Sequence, residues 1–209
     1  MSAICFLEAC YLGNIDEIKN TINIDQIQVN DILMGFNKAC MQGHIDILKL
    51  LVSYNKFDLE TIQEAFLYAC NFGYIDVIQL IYKINQDFLT ENILWKAFNS
   101  SAICGKLEVV NQLYEWKKDS VDFSKYDTKV FIWTCKNGYL EVAKVLYKLK
   151  PNIDHQLLSI VLHNAAINED FEIVKQIIEW NKTLKVTKKT YPFIKNEEIK
   201  NFLKNYSEI

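Results

Sequence analysis

The chain repeats itself. Phe6, Phe36, Phe66, Phe98 and Phe131 each stand seven residues before a glycine: Gly13, Gly43, Gly73, Gly105 and Gly138. Between each pair lie two small residues: Ala9 and Cys10, Ala39 and Cys40, Ala69 and Cys70, Ser101 and Ala102, Thr134 and Cys135. Two residues after each glycine comes an apolar residue and then an acid, as in GNIDEI, GHIDIL, GYIDVI, GKLEVV and GYLEVA. A sixth copy, LHNAAINEDFEIV, keeps Leu162, Ala165, Ala166, Phe171 and Glu172 but places Glu169 where the glycine is expected. The copies start 30, 30, 32, 33 and 31 residues apart. A unit this short cannot bury its own apolar faces, so such copies must stack into a shared core.

Each part of the pattern has a physical reading. The segment before the glycine reads as a short helix with its Phe and small pair facing inward. The glycine suits a left-handed residue just past that helix, where a side chain is strained. A second helix follows, with Asp16, Asp46, Asp76, Glu108, Glu141 and Glu172 in its first turn, where a carboxylate complements the helix dipole. Apolar residues then recur at helical spacing, as in Ile45, Leu48, Leu51 and Val52. Thr61 with Glu64 predicts a capping box, Asp127 or Thr128 is expected to cap the fifth first helix, and Asp154 the sixth.

Composition agrees with a helical, ordered chain: 50% hydrophobic and 23% charged, with only two prolines and six glycines. The net charge of −3 gives no electrostatic case for duplex nucleic acid. Every basic residue is lysine, so the planar fork best suited to bidentate phosphate or carboxylate recognition is missing. The opening MSAICFLEACYLG lacks a basic n-region, and no apolar run approaches a membrane span. A cytoplasmic location with reduced thiols is therefore expected.

The pattern Phe-x-x-Ala-Cys-x-x-Gly-x-Ile-Asp-x-Ile resembles the ankyrin repeat, which runs Leu-His-x-Ala-Ala-x-x-Gly-His-x-x-Ile-Val. GHIDIL at residues 43–48 matches best, and the resemblance covers roughly residues 3–182. The Thr-Pro-Leu-His opening is missing in every copy. The Gly-Ala-Asp hairpin is replaced by linkers such as NIDQIQVN and KFDLE. The style, rich in Asn, Ile and Lys, is similar to ankyrin proteins of giant viruses of protists and of protists with AT-rich genomes. The resemblance implies an all-α, ankyrin-type α-solenoid of stacked helix-turn-helix repeats with short or absent β-hairpin fingers. About six repeats are expected over 1–182, with an atypical copy at 169. Residues 183–209, a lysine-rich segment carrying Lys185, Lys188, Lys189, Lys195, Lys200 and Lys204 just after Lys182, are expected to end in a capping helix around Ile199, Phe202 and Leu203. The rival for that helix is docking to a partner or an anionic surface.

In this family the two residues before the turn glycine, and the one after it, usually face a concave groove. That implies Tyr11, Leu12 and Asn14; Met41, Gln42 and His44; Asn71, Phe72 and Tyr74; Ile103, Cys104 and Lys106; Lys136, Asn137 and Tyr139. Gln63, Trp95 and Thr128 add upstream turn positions. Tyr11, Met41, His44, Phe72, Tyr74, Trp95, Lys106, Lys136 and Tyr139 are the principal partner-binding candidates. Phe72, Tyr74 and Trp95 are expected to form an aromatic cluster, which fits either a partner anchor or packing between repeats.

The cysteine slot alternates with alanine, which marks a small buried residue rather than a ligand; Cys104 lies off that slot. His44 is expected in a turn hydrogen bond, and His155 and His163 stand apart from any Cys or acid at metal spacing. No phosphate-binding loop, nucleophile elbow or zinc-binding His pair occurs. The expectation is a non-catalytic protein-binding adaptor or decoy, monomeric, with no cofactor, no metal, no nucleic acid and no membrane partner. The alternative is a structural or self-associating repeat component.

Overall fold

The computed structural model describes residues 3–22, 27–54, 57–186 and 191–206. Linker residues 23–26 and 55–56, and Lys188 and Lys189 of the C-terminal segment, lie outside the described residues. Thirteen α-helices are present among the described residues: α1 (Ala3–Leu12), α2 (Ile15–Thr21), α3 (Val29–Gln42), α4 (Ile45–Tyr54), α5 (Leu59–Phe72), α6 (Ile75–Ile84), α7 (Glu91–Ile103), α8 (Leu107–Lys117), α9 (Thr128–Lys136), α10 (Leu140–Leu149), α11 (His155–Ile167), α12 (Phe171–Trp180) and α13 (Glu197–Leu203). No β-strand occurs among these residues beyond an isolated bridge at Val186, whose N–H donates to the Tyr206 carbonyl (2.8 Å). The finger hairpins are thus absent there.

The repeat grammar appears directly in the turns. Gly13, Gly43, Gly73, Gly105 and Gly138 all have φ between 70° and 84°. The N–H after the glycine reaches back to the first residue of the small pair, as in His44 to Ala39 (3.0 Å), Tyr74 to Ala69 (3.0 Å) and Tyr139 to Thr134 (3.1 Å). This closes the first helix by satisfying an orphan carbonyl. The next N–H returns to the glycine carbonyl, as in Ile45 to Gly43 (2.9 Å), making a tight inverse turn that launches the second helix. Glu169 holds the same left-handed conformation with φ 64°, and the Asp170 N–H bonds to Ala165 (2.9 Å). The sixth copy therefore keeps the geometry after losing the residue that favours it.

Contacts divide the chain into two units. The N-terminal unit comprises Met1–Ser101 and Glu108–Trp116, and the C-terminal unit Ala102–Leu107 and Lys117–Ile209. In the N-terminal unit Phe6, Phe36, Phe66 and Phe98 are fully buried beside their small pairs. Each such burial stabilises by roughly 1.5–3 kcal/mol. Gly35 lets α1 and α3 approach: a Cβ there would meet Cys10 Sγ at 2.8 Å and Phe6 Cε1 at 2.9 Å. The connections between repeats are plugged by aromatics. Phe57 stacks on Phe36 (4.0 Å between centroids), and Phe88 packs edge-on against Phe66 (4.7 Å). Tyr82 of α6 stacks on Trp116 of α8 (3.9 Å).

The C-terminal unit uses the same devices. Phe131, Leu162 and their small neighbours are buried, and Phe123 and Ile153 plug the connections. Tyr147 stacks on Trp180 (4.2 Å), repeating the Tyr82–Trp116 pair at the same register. The Thr134 hydroxyl donates to the Ala102 carbonyl (3.2 Å), as Ser101 does to Cys70 (3.3 Å) in the other unit. Small polar residues in that slot thus bond across the repeat interface. Leu184, Val186, Ile194, Ile199 and Leu203 are buried, and Phe202 packs edge-on against Phe171 of α12 (5.4 Å).

The expected helix starts need one correction. Thr61 and Glu64 form no capping box: α5 begins at Leu59, and Asp58 is its N-cap, accepting from the Thr61 N–H (2.8 Å). An acid just after Phe57 can cap because the plugging ring fixes where the chain enters the helix, so Thr61 is already in the first turn. Asp127, not Thr128, caps α9 through the Lys129 N–H (2.9 Å). Asp154 occupies the N-cap position of α11 but makes no side-chain capping bond.

Candidate partner-binding surface

The positions after the turn glycines serve the fold before they serve any surface. The His44 ring lies over Gly13, so close that a Cβ there would meet Cε1 at 2.8 Å. Its Nε2 donates to the Tyr11 carbonyl (2.9 Å), giving the expected turn role. Tyr74 covers Gly43 in the same way, and Tyr139 covers Gly105. In the last turn the Asp170 carboxylate takes the place of the ring, against Gly138. Gly13, Gly43, Gly105 and Gly138 thus each have two reasons to be glycine: the backbone conformation, and the side chain of the next repeat seated on it.

On the N-terminal unit, Tyr11 and Phe72 are exposed, while Met41, His44, Tyr74 and Trp95 are half-buried. Phe72 and Tyr74 stack (5.8 Å, 18° between planes), and Phe72 keeps 49% of its surface open. Trp95 packs edge-on against Phe98 (6.0 Å), and its Nε1 donates to Glu91 (3.3 Å). Lys38 approaches the Tyr11 ring (5.8 Å). Gln63 is used internally, donating to the Phe88 carbonyl (3.2 Å). Beside Tyr74 lies a shallow cleft of about 380 Å³ whose lining includes Ile45, Ile75, Asp76 and Glu108. With Glu8, Glu60, Glu64 and Glu91 exposed on the first helices, this unit offers apolar groups among carboxylates.

On the C-terminal unit, Lys136 and Tyr139 are exposed and Lys106 is half-buried. Asn137 donates to the Ile103 carbonyl (3.1 Å), and Cys104 is exposed in the turn between α7 and α8. Lys136 Nζ lies 4.6 Å from the centre of the Trp133 ring. Trp133, absent from the expected set, is 48% exposed, and Tyr68 occupies the same register on α5. The signal was in the sequence. Both stand five residues before their glycine, one helical turn from the positions that the resemblance singled out. Met34 in the N-terminal unit and Ile160 in the C-terminal unit, each nine residues before its turn, are also exposed.

The cysteine slot is inert for physical reasons. Burial pushes the Cys10 thiol up to about 12 despite the nearby Lys38 ammonium. Burial also raises Cys40, Cys70 and Cys135. A thiolate is the nucleophile and the metal ligand, so these groups are held in their unreactive form.

Helix-turn-helix pairs closed by left-handed glycines, with a side chain of the following repeat seated on most of those glycines, define the ankyrin repeat fold. The crystal structure of the human ASB11 ankyrin repeat domain matches with a TM-score of 0.64 at 15% sequence identity, covering 98% of this chain and 98% of that one. No family model matches the sequence, and no curated protein matches it.

Proposed function

We propose that this chain is a non-catalytic adaptor or decoy that binds a partner protein through the exposed faces of its first helices and the turn tips beside them. The observation that carries the reading is the placement of large exposed side chains: Tyr11, Met34, Tyr68, Phe72, Trp133 and Ile160 all lie on first helices. Aromatic residues in such positions supply much of the energy of protein interfaces. Met41, His44, Tyr74, Trp95, Lys106, Lys136 and Tyr139 frame them. On this reading six repeats occupy 1–182, and residues 183–209 cap the last repeat, supported by buried Ile199 and Leu203 and the Phe171–Phe202 contact. The chain acts as a monomer. Its free cysteines support a reducing, cytoplasmic compartment, that of a host cell if the source is viral. No helix among the described residues is long and apolar enough to cross a membrane.

Site-specific photo-crosslinking tests the face. A crosslinking side chain at Phe72 should capture a discrete protein, and one at Lys49 on the second helix α4 should not. Equal capture at both positions, or loss of capture only on disrupting the fold, sinks the reading. The rival, self-association, predicts a mass that grows with concentration in size exclusion with light scattering.

A further inference from the structure

Resting on that partner-binding reading, we infer that the first-helix face of the C-terminal unit takes an extended acidic peptide, with two carboxylates flanking an apolar side chain. Charge is divided unevenly along the chain. The residues of the N-terminal unit include 6 lysines and 14 carboxylates, a net −8; those of the C-terminal unit include 17 lysines and 12 carboxylates, a net +5. Within the C-terminal unit, three lysines of the second helices and the terminal helix are paired with carboxylates: Lys144 with Glu141 (2.7 Å), Lys175 with Glu172 (2.9 Å) and Lys200 with Glu197 (2.7 Å). The first-helix lysines differ. Among the described residues, neither Lys129 nor Lys136 of α9 has a carboxylate at ion-pair distance.

Lys129, Trp133 and Lys136 are all exposed and fall on one stripe, spaced by four and three residues. Seven residues of helix span about 10 Å, and the flexible four-carbon stems of the lysines extend that to the about 13 Å between residues i and i+4 of an extended strand, which share one face. Carboxylates at residues i and i+4 therefore meet both ammonium groups while an apolar residue at i+2, on the same face of the strand, covers Trp133. Ile160, 51% exposed on the neighbouring α11 at the register equivalent to Lys129, widens the apolar seat. Lys136 already lies over the Trp133 ring, which pre-orients its charge.

The carboxylates that face this side are few and mostly occupied. Asp127 caps α9, Asp170 caps α12 through the Ile173 N–H (3.2 Å), Asp154 stands at the start of α11, and Glu169 is exposed at the last turn. A long polyanion meets a chain of net charge −3, whereas a short acidic segment senses only charges within about a Debye length of 8 Å. That favours a peptide over nucleic acid. With no arginine in the chain, recognition rests on the spacing of point charges rather than on a bidentate fork.

The test is fluorescence polarisation of the full chain. The probe is a labelled peptide of about twelve residues with a Glu-Ser-Phe-Ser-Glu core, long enough to cross two helices packed about 10 Å apart. It should bind about tenfold tighter than its Gln-Ser-Phe-Ser-Gln counterpart, and weaken as salt rises from about 0.05 to 0.3 M. Joint Lys129→Gln and Lys136→Gln substitution should remove that preference, and Trp133→Ala should weaken both peptides. Arginine at the two lysine positions should retain binding, and Lys148→Gln on the second helix α10 should change nothing. Circular dichroism and melting temperature confirm that each variant is folded. Equal affinity for the two peptides, indifference to the double substitution, or stronger binding of an oligothymidylate of equal length overturns the inference. Crosslinking from Phe72 is scored separately, so a partner captured there without acidic-peptide binding removes this inference and leaves the broader reading standing.

Discussion

The two units are built to one plan and finished differently. Their buried positions agree: an aromatic or leucine, a small pair, a left-handed turn residue, and a Tyr stacked on a Trp at the same register. Their exposed first-helix positions do not. The N-terminal unit sets Tyr11, Met34, Tyr68 and Phe72 among Glu8, Glu60, Glu64 and Glu91, whereas the C-terminal unit sets Trp133 between Lys129 and Lys136. In a stacked array each repeat contacts only its neighbours, so the core must conform while the open face is free to diverge. What distinguishes this chain from another of its fold is therefore written at the positions that packing does not need.

If the units share a plan but hold their stability locally, a core deletion in one should leave the other intact. Phe66 is fully buried and touches the plugging Phe88 ring. Phe66→Ala should cost about 3–5 kcal/mol, the usual range for removing a buried aromatic. Hydrogen exchange should then quicken in α3–α6 and stay slow in α9–α12; Phe131→Ala should do the reverse. A uniform loss of protection would mean that the chain unfolds as one body.

The turn glycines give a finer contrast. A Cβ on Gly43 would lie 2.9 Å from the Tyr74 ring, and one on Gly105 only 2.5 Å from Tyr139. Alanine at either place adds left-handed strain of about 1–2 kcal/mol to an overpacking cost of about 1–3 kcal/mol. Gly105→Ala should lower the melting temperature more than Gly43→Ala. Adding Tyr139→Ala to the first, or Tyr74→Ala to the second, should relieve the steric part and leave the backbone part. Additivity in these double-mutant cycles would show that the ring and the glycine do not touch in solution.

Much of this was legible in the sequence because the repeat superimposes six independent copies of the same demand. Phe, small pair, glycine and acid each answer one local requirement, and all five glycines stand at positive φ. The helix starts were less legible. Phe57 and Phe88 look like ordinary linker residues until the core beneath them is known, and they decide where α5 and the chain ahead of α7 begin. The open face is legible only in part. Tyr74 and Tyr139 were singled out as surface residues, and they lie partly on the glycine of the preceding repeat. Trp133 and Tyr68 lie outside the positions that the pattern marks, because nothing in a residue's own identity tells a buried slot from an exposed one a turn away.

Acid should separate the units through their capping residues. Asp58 is held below the usual carboxylate range by the backbone N–H of Thr61 and then by its side chain. The Ser124 hydroxyl, followed by its backbone N–H, does the same for Asp122. A depressed folded value means that the stabilisation is complete above the ordinary carboxylate range and is lost as pH falls through the folded value. Asp58→Ala should lower the melting temperature at neutral pH, with the gap to the parent closing in acid. Asp122→Ala should do so in the C-terminal unit. Asp58→Asn, which keeps an acceptor without the charge, should flatten the acid limb. A gap that stays constant with pH would remove the charge from the explanation.

The smallest effect is the most diagnostic, because it tests why the sixth copy departs from the rest. Glu169 is the single non-glycine residue with positive φ among those described. Gly13, Gly43, Gly105 and Gly138 each carry a side chain of the following repeat directly over them, whereas Glu169 is exposed. The steric reason for glycine is thus gone at the last turn and only the backbone reason remains. Glu169→Gly should therefore stabilise by about 1 kcal/mol, the strain of holding a side chain in the left-handed region, less the entropy that glycine loses on folding. Glu169→Asn should fall between the two, since its short polar side chain tolerates that conformation. The opposite exchange, Gly105→Glu, should abolish folding of the C-terminal unit, because both reasons apply there. If Glu169→Gly destabilises instead, the glutamate makes a favourable contact at the last turn, and the array's final position is specified rather than tolerated.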